Sequence, residues 1–286
     1  MQIIDTIEDL RRLVLETRRS GRTIGFVPTM GYLHQGHLSL MQQARQENDL
    51  VIASVFVNPT QFGPNEDFDA YPRNPEQDRT LMASVPVDAA FFPAVSELYP
   101  EGYATSVEVE GSLTSGLCGA SRPGHFRGVA TVVLKLFNLV QPDRAYFGMK
   151  DAQQVAVIRR MVRDLHVPVA VVACPIVREP DGLAMSSRNV YLSPEERQDA
   201  LVLSRSLKAA AALVQEGERQ AAAVIRQMQA LIEAAPSARV DYISLTDAHS
   251  LEPVSTLQGT VLAALAVRIG KTRLIDNAIL EIPHAD

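Results

Sequence analysis

The sequence predicts an α/β protein, a doubly wound parallel sheet over residues 1–179 followed by a smaller α+β domain over 180–286. Three observations carry that prediction. Short β-branched runs alternate with longer helical patterns from residue 23 to about 177. The runs are continuously apolar rather than alternating, as in strands buried on both faces of a parallel sheet. Near residue 180 the pattern gives way to alanine-rich helices and then to strands.

In chain order, "TIEDLRRLVLETRRS" (6–20) reads as a leading amphipathic helix. The predicted strands are "TIGFV" (23–27), "LVIASVFV" (50–57), "AAFFP" (89–93), "RAYFG" (144–148) and "VAVVACPIV" (169–177). Helices are predicted between them at about 36–47, 74–84, 127–140 and 151–166. This βαβ rhythm places ligands at the carboxyl ends of the strands. Further on, "SPEE" gives Ser193 as a helix cap, Pro194 in the first turn and Glu196 to complete a capping box. The helix it opens runs to about Gln215, and a second covers about 220–234. After Pro236, "VDYISLTD" and "GTVLAALAVRIG" are strand-like.

Composition narrows the function classes. A net charge of −6 argues against a nonspecific nucleic-acid coat or an anionic membrane surface. No run approaches membrane-spanning length, and the first residues lack a signal-peptide core, so a soluble cytoplasmic protein is expected. Cys118 and Cys174 are too isolated for a disulfide framework or a four-cysteine zinc site. They read as small buried hydrophobes.

Five segments carry chemistry. In "PTMGYLHQGH" (28–37), His34 and His37 follow the first predicted strand. They could bind a metal, contact phosphates, or serve as one cap and one solvated ring. The spacing lacks the glutamate and the four-residue interval of a zinc-protease helix. A helix starting near Gly36 would aim its free N–H groups and positive dipole at an anion, and Gly31 and Gly36 would permit close approach. "AYFGMKDAQQ" (145–154) repeats strand, turn and helix: Gly148 for the turn, Lys150 as a point charge for phosphate or for solvent, Asp151 as a cap. Of Gln153 and Gln154, one reads as a ligand contact and the other as surface. "REPDGLAMSSRN" (178–189) has a Pro180–Asp181–Gly182 turn, so its hydroxyls and arginine belong to an accessible loop, either a lid or a polar hinge. "FVNPTQFGPNEDFDAYPR" (56–73) offers Asn58 and Gln61 to a small polar substrate or to solvent. In "LCGASRPGHFRGVATVV" (117–133), Arg122, His125 and Arg127 either draw an acidic substrate or pack against the loop before them. No P-loop, G-x-G-x-x-G turn or G-x-S-x-G elbow is present, so no covalent enzyme nucleophile is visible.

Together these strings carry a resemblance. "HQGH" is similar to the HxGH signature of a nucleotidyltransferase superfamily with a Rossmann-like sheet, and "MSSRN" resembles the mobile-loop signature that partners it. "PTMGYLHQGH", "NPTQFGPNEDFDAYPR", "LCGASRPGHFRGV", "GMKDAQQ", "DGLAMSSRN" and "VDYISLTDAHSLEPV" resemble the pantoate–β-alanine ligase family across nearly the whole chain. The resemblance implies ATP-dependent condensation of pantoate with β-alanine through a pantoyl adenylate, releasing AMP and pyrophosphate, in pantothenate and coenzyme A biosynthesis.

It also implies site residues. Met30, Gly31, Tyr32, Leu33, His34, Gln35, Gly36 and His37 would line the ATP site, with both histidines on phosphates and His37 as donor to the leaving group. Gly148, Met149, Lys150 and Asp151 would border the nucleotide, Lys150 on its phosphates and Asp151 near the ribose. Val177, Met185, Ser186, Ser187 and Arg188 would complete the site. Gln61 and Gln154 would hold pantoate. Mg²⁺ would accompany ATP, with Asp78 as a distant partner, and the family implies a homodimer. Tyr32 departs from the alanine usual there. The rival readings are a nucleotidyltransferase that retains the nucleotide and a noncatalytic nucleotide-binding module. A tRNA-binding enzyme is disfavoured by the absence of a basic face.

Overall fold

The computed structural model describes residues 1–64 and 66–282. Its contacts divide the chain into two compact units. The first takes Met1–Val109, Pro123–Met149 and Gln154–Val177; the second takes Glu110–Arg122, Lys150–Gln153 and Arg178–Asp286. The main changeover lies at Val177/Arg178, two residues before the junction expected from sequence, and two earlier pieces of chain join the second unit.

The first unit is built on a six-stranded sheet in the order β1 (Gln2–Ile4), β4 (Ala89–Phe91), β3 (Leu50–Val55), β2 (Ile24–Thr29), β5 (Arg144–Gly148), β6 (Ala170–Cys174). Every pairing is parallel. The continuous apolar runs work as expected, because successive side chains point to opposite faces. Ile24, Phe26, Leu50, Ile52, Ala89, Phe91, Ala145 and Phe147 join the core on one face. Val27, Val51, Ala53, Ala90 and Tyr146 join the core on the other. The sequence does not anticipate strand β1; three residues are too few to show a period, and it forms by pairing with β4.

Helix α1 (Ile7–Arg19) starts on Thr6, whose side chain accepts from the Asp9 N–H, and α2 (Gln35–Glu47) follows β2. Helix α3 (Pro75–Ala83) is capped by Asn74. Longer helices at His125–Val140 and Ala152–Asp164 complete the winding. The strand order reverses direction between β2 and β5, the position where open sheets of this kind take ligands at their carboxyl ends. Among the described residues no helix is long and apolar enough to cross a membrane.

One contact at the start of β5 gives a pH prediction. Asp143 accepts from the Ile24 N–H at 2.7 Å and from Arg18 at 3.0 Å. Burial pushes its carboxyl up, but Arg18 and the Ile24 N–H outweigh burial and hold it below the usual range. A lowered carboxylate adds stability that is present above its unfolded value near 3.9 and is lost as pH falls through the folded value. The advantage of the wild type over Asp143→Asn is expected to be about 1 kcal/mol at neutral pH. It should vanish at the acid end of a urea-unfolding series; an advantage constant with pH would refute the pairing.

The second unit contains a three-stranded antiparallel sheet, β7 (Ala238–Asp247), β8 (Thr260–Ile269) and β9 (Thr272–Glu281), covered by helices Leu201–Gln215 and Ala221–Glu233. The Ser193–Glu196 capping box forms as expected, with the Ser193 N–H on Glu196 Oε2 at 2.9 Å and the Glu196 N–H on Ser193 Oγ at 3.2 Å. The helix it opens ends at Asp199, and a second begins at Leu201. Strand β9 is not anticipated either, because Asp276 and Asn277 interrupt its apolar pattern.

Candidate active site

The chain leaves β2 at Thr29 and turns sharply into α2. Gly31 has φ +83° and Tyr32 φ +49°, so the turn uses two left-handed residues in succession. A Cβ on Gly31 would lie 2.8 Å from Val55 Cγ1 and 2.9 Å from Asp78 Oδ2, which excludes other residues there. The turn is held by α3: Asp78 Oδ2 accepts from the Tyr32 N–H at 3.0 Å and Oδ1 from the Leu33 N–H at 2.7 Å. Asp78 is 1 % exposed, and burial pushes its carboxyl above the usual range, countered only in part by those two N–H groups. Sequence reasoning offers Asp78 as a metal partner; both its oxygens are engaged by backbone, and among the described residues no group of three or more His, Cys, Asp or Glu is arranged to hold a metal.

His34 and His37 cap α2 together. His34 Nδ1 accepts from the Gly36 N–H at 3.1 Å, and His37 Nδ1 accepts from the His34 N–H at 3.3 Å. Their rings lie 4.1 Å apart. An imidazole whose Nδ1 accepts carries its proton on Nε2, so the cap fixes the tautomer of each neutral ring. Both rings cap, where one cap and one solvated ring is the alternative to anion binding that the sequence leaves, and the cap sets which nitrogen can donate.

A second cluster follows β3. Asn58 caps a short turn, Pro59–Gln61, and is 1 % exposed. Its Oδ1 accepts from Thr60 N, Thr60 Oγ1 and Tyr99 Oη, the last at 2.8 Å. Its Nδ2 donates to Gln61 Oε1 and to the Gly128 carbonyl, each at 3.1 Å. Both amide hydrogens of Asn58, read from the sequence as a substrate contact, are committed within the protein, and one of them holds Gln61 Oε1. The Gln61 amide, its oxygen held by Asn58, donates through Nε2 to Met30 Sδ at 2.9 Å. Gln61 thus touches the first residue of the histidine turn. His125 Nδ1 lies 2.9 Å from the Gln61 carbonyl, the packing role rather than the substrate role.

Tyr99 has no signal in the sequence. Burial pushes its phenol up, which keeps the hydroxyl a donor toward Asn58, and Lys135 Nζ sits 5.2 Å over its ring.

In the second unit, Lys150 lies on a short turn, Met149–Asp151, with Nζ 3.4 Å from Asp151 Oδ2. Gly148 is not required by backbone conformation, and a Cβ there would meet nothing within 4 Å, which corrects the expectation of a glycine-dependent turn. The expectation of one surface amide is also corrected. Gln153 is buried, donating to the Leu113 and Gly116 carbonyls and accepting from the Cys118 N–H, while Gln154 is half-buried. Ser186 caps the turn Ser187–Tyr191, its Oγ accepting from the Arg188 N–H at 3.2 Å. Ser187 is buried, and Val177, Met185 and Arg188 are half-buried.

The first unit is a doubly wound parallel α/β fold with a histidine-capped helix after β2. The family model for pantoate-beta-alanine ligase matches residues 2–279, and the chain belongs to that family. It is 60% identical over 282 residues to the pantothenate synthetase of Moorella thermoacetica, covering 99% of each chain. To that of Acetivibrio thermocellus it is 57% identical, covering 99% of this chain and 100% of the other. The crystal structure of pantothenate synthetase from Thermus thermophilus superposes with a TM-score of 0.93 at 52% identity, over 97% of this chain and 99% of that one. The pantoate-beta-alanine ligase of Francisella tularensis, complexed with βγ-ATP and β-alanine, gives 0.80 at 36% identity, over 98% and 97%.

Proposed function

We infer that this chain joins pantoate to β-alanine in two steps driven by ATP. A carboxylate oxygen of pantoate attacks the α-phosphorus, the bond to the bridging oxygen breaks, and pyrophosphate leaves. The unprotonated amine of β-alanine then attacks the acyl carbon of pantoyl adenylate, expelling AMP and losing a proton to give pantothenate, a precursor of coenzyme A. Both nucleophiles belong to substrates, which accounts for a chain without a nucleophilic motif. The protein's part is alignment, which can supply roughly 7–11 kcal/mol, and stabilisation of charge on phosphate oxygens.

The observation that carries this reading is the histidine pair: both Nδ1 atoms accept from backbone N–H groups, which puts both ring protons on Nε2, and Gln61 adjoins the same turn through Met30. In this reading Met30 to His37 receive ATP, and His37 donates to the departing pyrophosphate. Lys150, Ser187 and Arg188 contact phosphates; Gly148, Met149, Asp151, Val177, Met185 and Ser186 border the nucleotide. Gln61 and Gln154 hold pantoate. Mg²⁺ would accompany ATP and would offset charge on its phosphates. We give Asp78 the turn rather than the ion. A homodimer and a cytoplasmic location belong to the same reading.

The test is AMP and pyrophosphate release by purified protein with ATP, Mg²⁺ and pantoate, with and without β-alanine. Steady AMP release only with both substrates supports the ligase; ATP binding without AMP supports a noncatalytic module. His37→Ala and Lys150→Ala are each expected to cut adenylate formation about tenfold or more. Circular dichroism should show both folded, with a small loss of thermal stability for His37→Ala from the lost cap. Near-normal turnover in either would remove that residue from the chemistry.

A further inference from the structure

Strand β9 reads "TRLIDNAILE", with two adjacent polar residues where burial alone favours aliphatic ones. Asp276 is 2 % exposed and Asn277 5 %, and their neighbours across β8 are Leu265 and Ala264. Adjacent residues on a strand point to opposite faces, so the pair reaches in two directions. A buried carboxylate destabilises a fold unless it is paired and hydrogen-bonded, and this one is. Arg178 reaches Asp276 through two parallel bonds, at 2.7 Å and 3.0 Å, and the Asn277 N–H adds a third at 2.8 Å.

Each side of the pair holds a segment assigned to phosphate. Arg178 also donates to the Gly182 carbonyl at 3.1 Å and pairs through its backbone with Ala184, closing the 178–184 turn. Asn189 donates to the Ala184 carbonyl and to Glu179, tying that turn to the Ser187–Tyr191 helical turn that carries Arg188. On the other side, Asn277 Nδ2 donates to the Lys150 carbonyl at 3.0 Å. Lys150 and the 178–189 loop are far apart in sequence, and both hang from one dipeptide of β9.

We propose that Asp276 and Asn277 are positioning residues that register Lys150 with the loop bearing Ser187 and Arg188, so that these cations meet the ATP phosphates as one set. The proposal rests on the reading of those three residues as phosphate contacts. It uses no contact of Asp276 or Asn277 with substrate.

The experiment compares wild type with Asn277→Ala, Asn277→Leu and Arg178→Lys. Steady-state kinetics varies ATP and pantoate separately, and hydrogen exchange follows residues 148–154. Asn277→Leu keeps the approximate shape and removes the donor to Lys150 without burying a second charge, so it should behave as Asn277→Ala. Both are expected to raise KM for ATP about fivefold with KM for pantoate unchanged. Thermal midpoints should stay within about 3 °C of wild type and exchange in 148–154 should quicken. Arg178→Lys, which loses the parallel pair but keeps the charge, should also raise KM for ATP. Wild-type KM for ATP in both Asn277 variants would overturn the proposal. So would KM for both substrates rising together with a lower midpoint, the mark of a purely structural role. If wild type forms no AMP with pantoate, the functional reading fails on its own; exchange in 148–154 unchanged by Asn277→Ala then overturns the proposed geometry independently.

Discussion

Gly128→Ala is expected to lower kcat/KM for pantoate about a hundredfold, the scale set by an ångström of misplacement at a reacting centre. Gly128 lies in the helix His125–Val140, where its backbone passes against the turn that carries Gln61. A Cβ there would stand 2.3 Å from the Thr60 carbonyl oxygen, 2.6 Å from its carbon and 2.7 Å from Gln61 Cα. These are backbone atoms, so no side chain can swing away and the turn itself must move. The same residue's carbonyl accepts from Asn58 Nδ2, so the displacement also disturbs the amide that orients Gln61. Overpacking of this kind should lower stability by about 1–3 kcal/mol. KM for ATP should change far less than KM for pantoate. A variant with normal stability and normal pantoate kinetics would show that the Gln61 turn does not need its present position.

Asp78→Ala is expected to be as damaging to adenylate formation, about a hundredfold, by loosening the turn that aims the histidines. The half-buried Tyr32 N–H and the buried Leu33 N–H would lose charged acceptors, each bond contributing about 1.5–3 kcal/mol. The turn resists relaxation poorly, because Tyr32 is held at a φ that disfavours a residue with a side chain by about 1–2 kcal/mol. Asp78→Asn keeps the shape but offers one acceptor oxygen for two donors, and should fall between alanine and wild type. Because burial holds Asp78 above the usual carboxylate range, its ionisation weakens the fold as pH rises through that value; Asn removes this dependence. The Mg²⁺ concentration for half-maximal rate separates positioning from metal binding. It should match wild type in Asp78→Asn; a marked increase would return Asp78 to the ion.

The central sheet is legible in the sequence because its inner strands carry nearly continuous apolar runs, and both of their faces are buried. Ile24 and Phe26 go one way and Val27 the other, as a run such as "TIGFV" implies. The histidine turn is legible as a strand-to-helix junction, but its hydrogen bonds are not. Histidine is an unusual cap, and nothing in "HQGH" says that Nδ1 of each ring faces the backbone. Asn58 reads as a substrate contact because a polar residue in a Gly- and Pro-rich loop looks exposed; only the partners from Tyr99 and Gly128, distant in sequence, bury it. Asp276 and Asn277 leave a visible trace as a break in an apolar run. Its meaning depends on Arg178 and Lys150, which stand on either side of the strand and far from it in sequence.

The second unit gathers chain from three places: residues 110–122, 150–153 and everything from Arg178 onward. Gln153 clasps the 113–118 segment, Asn277 holds Lys150, and Tyr242 Oη lies 3.3 Å from Cys118 Sγ. A gene cut at the 177/178 junction therefore does not yield two heritable modules. The downstream product would lack the lysine its own strand is shaped to hold and the segment its own tyrosine packs against. Exchange of the C-terminal half between relatives must match pieces on both sides of the crossover.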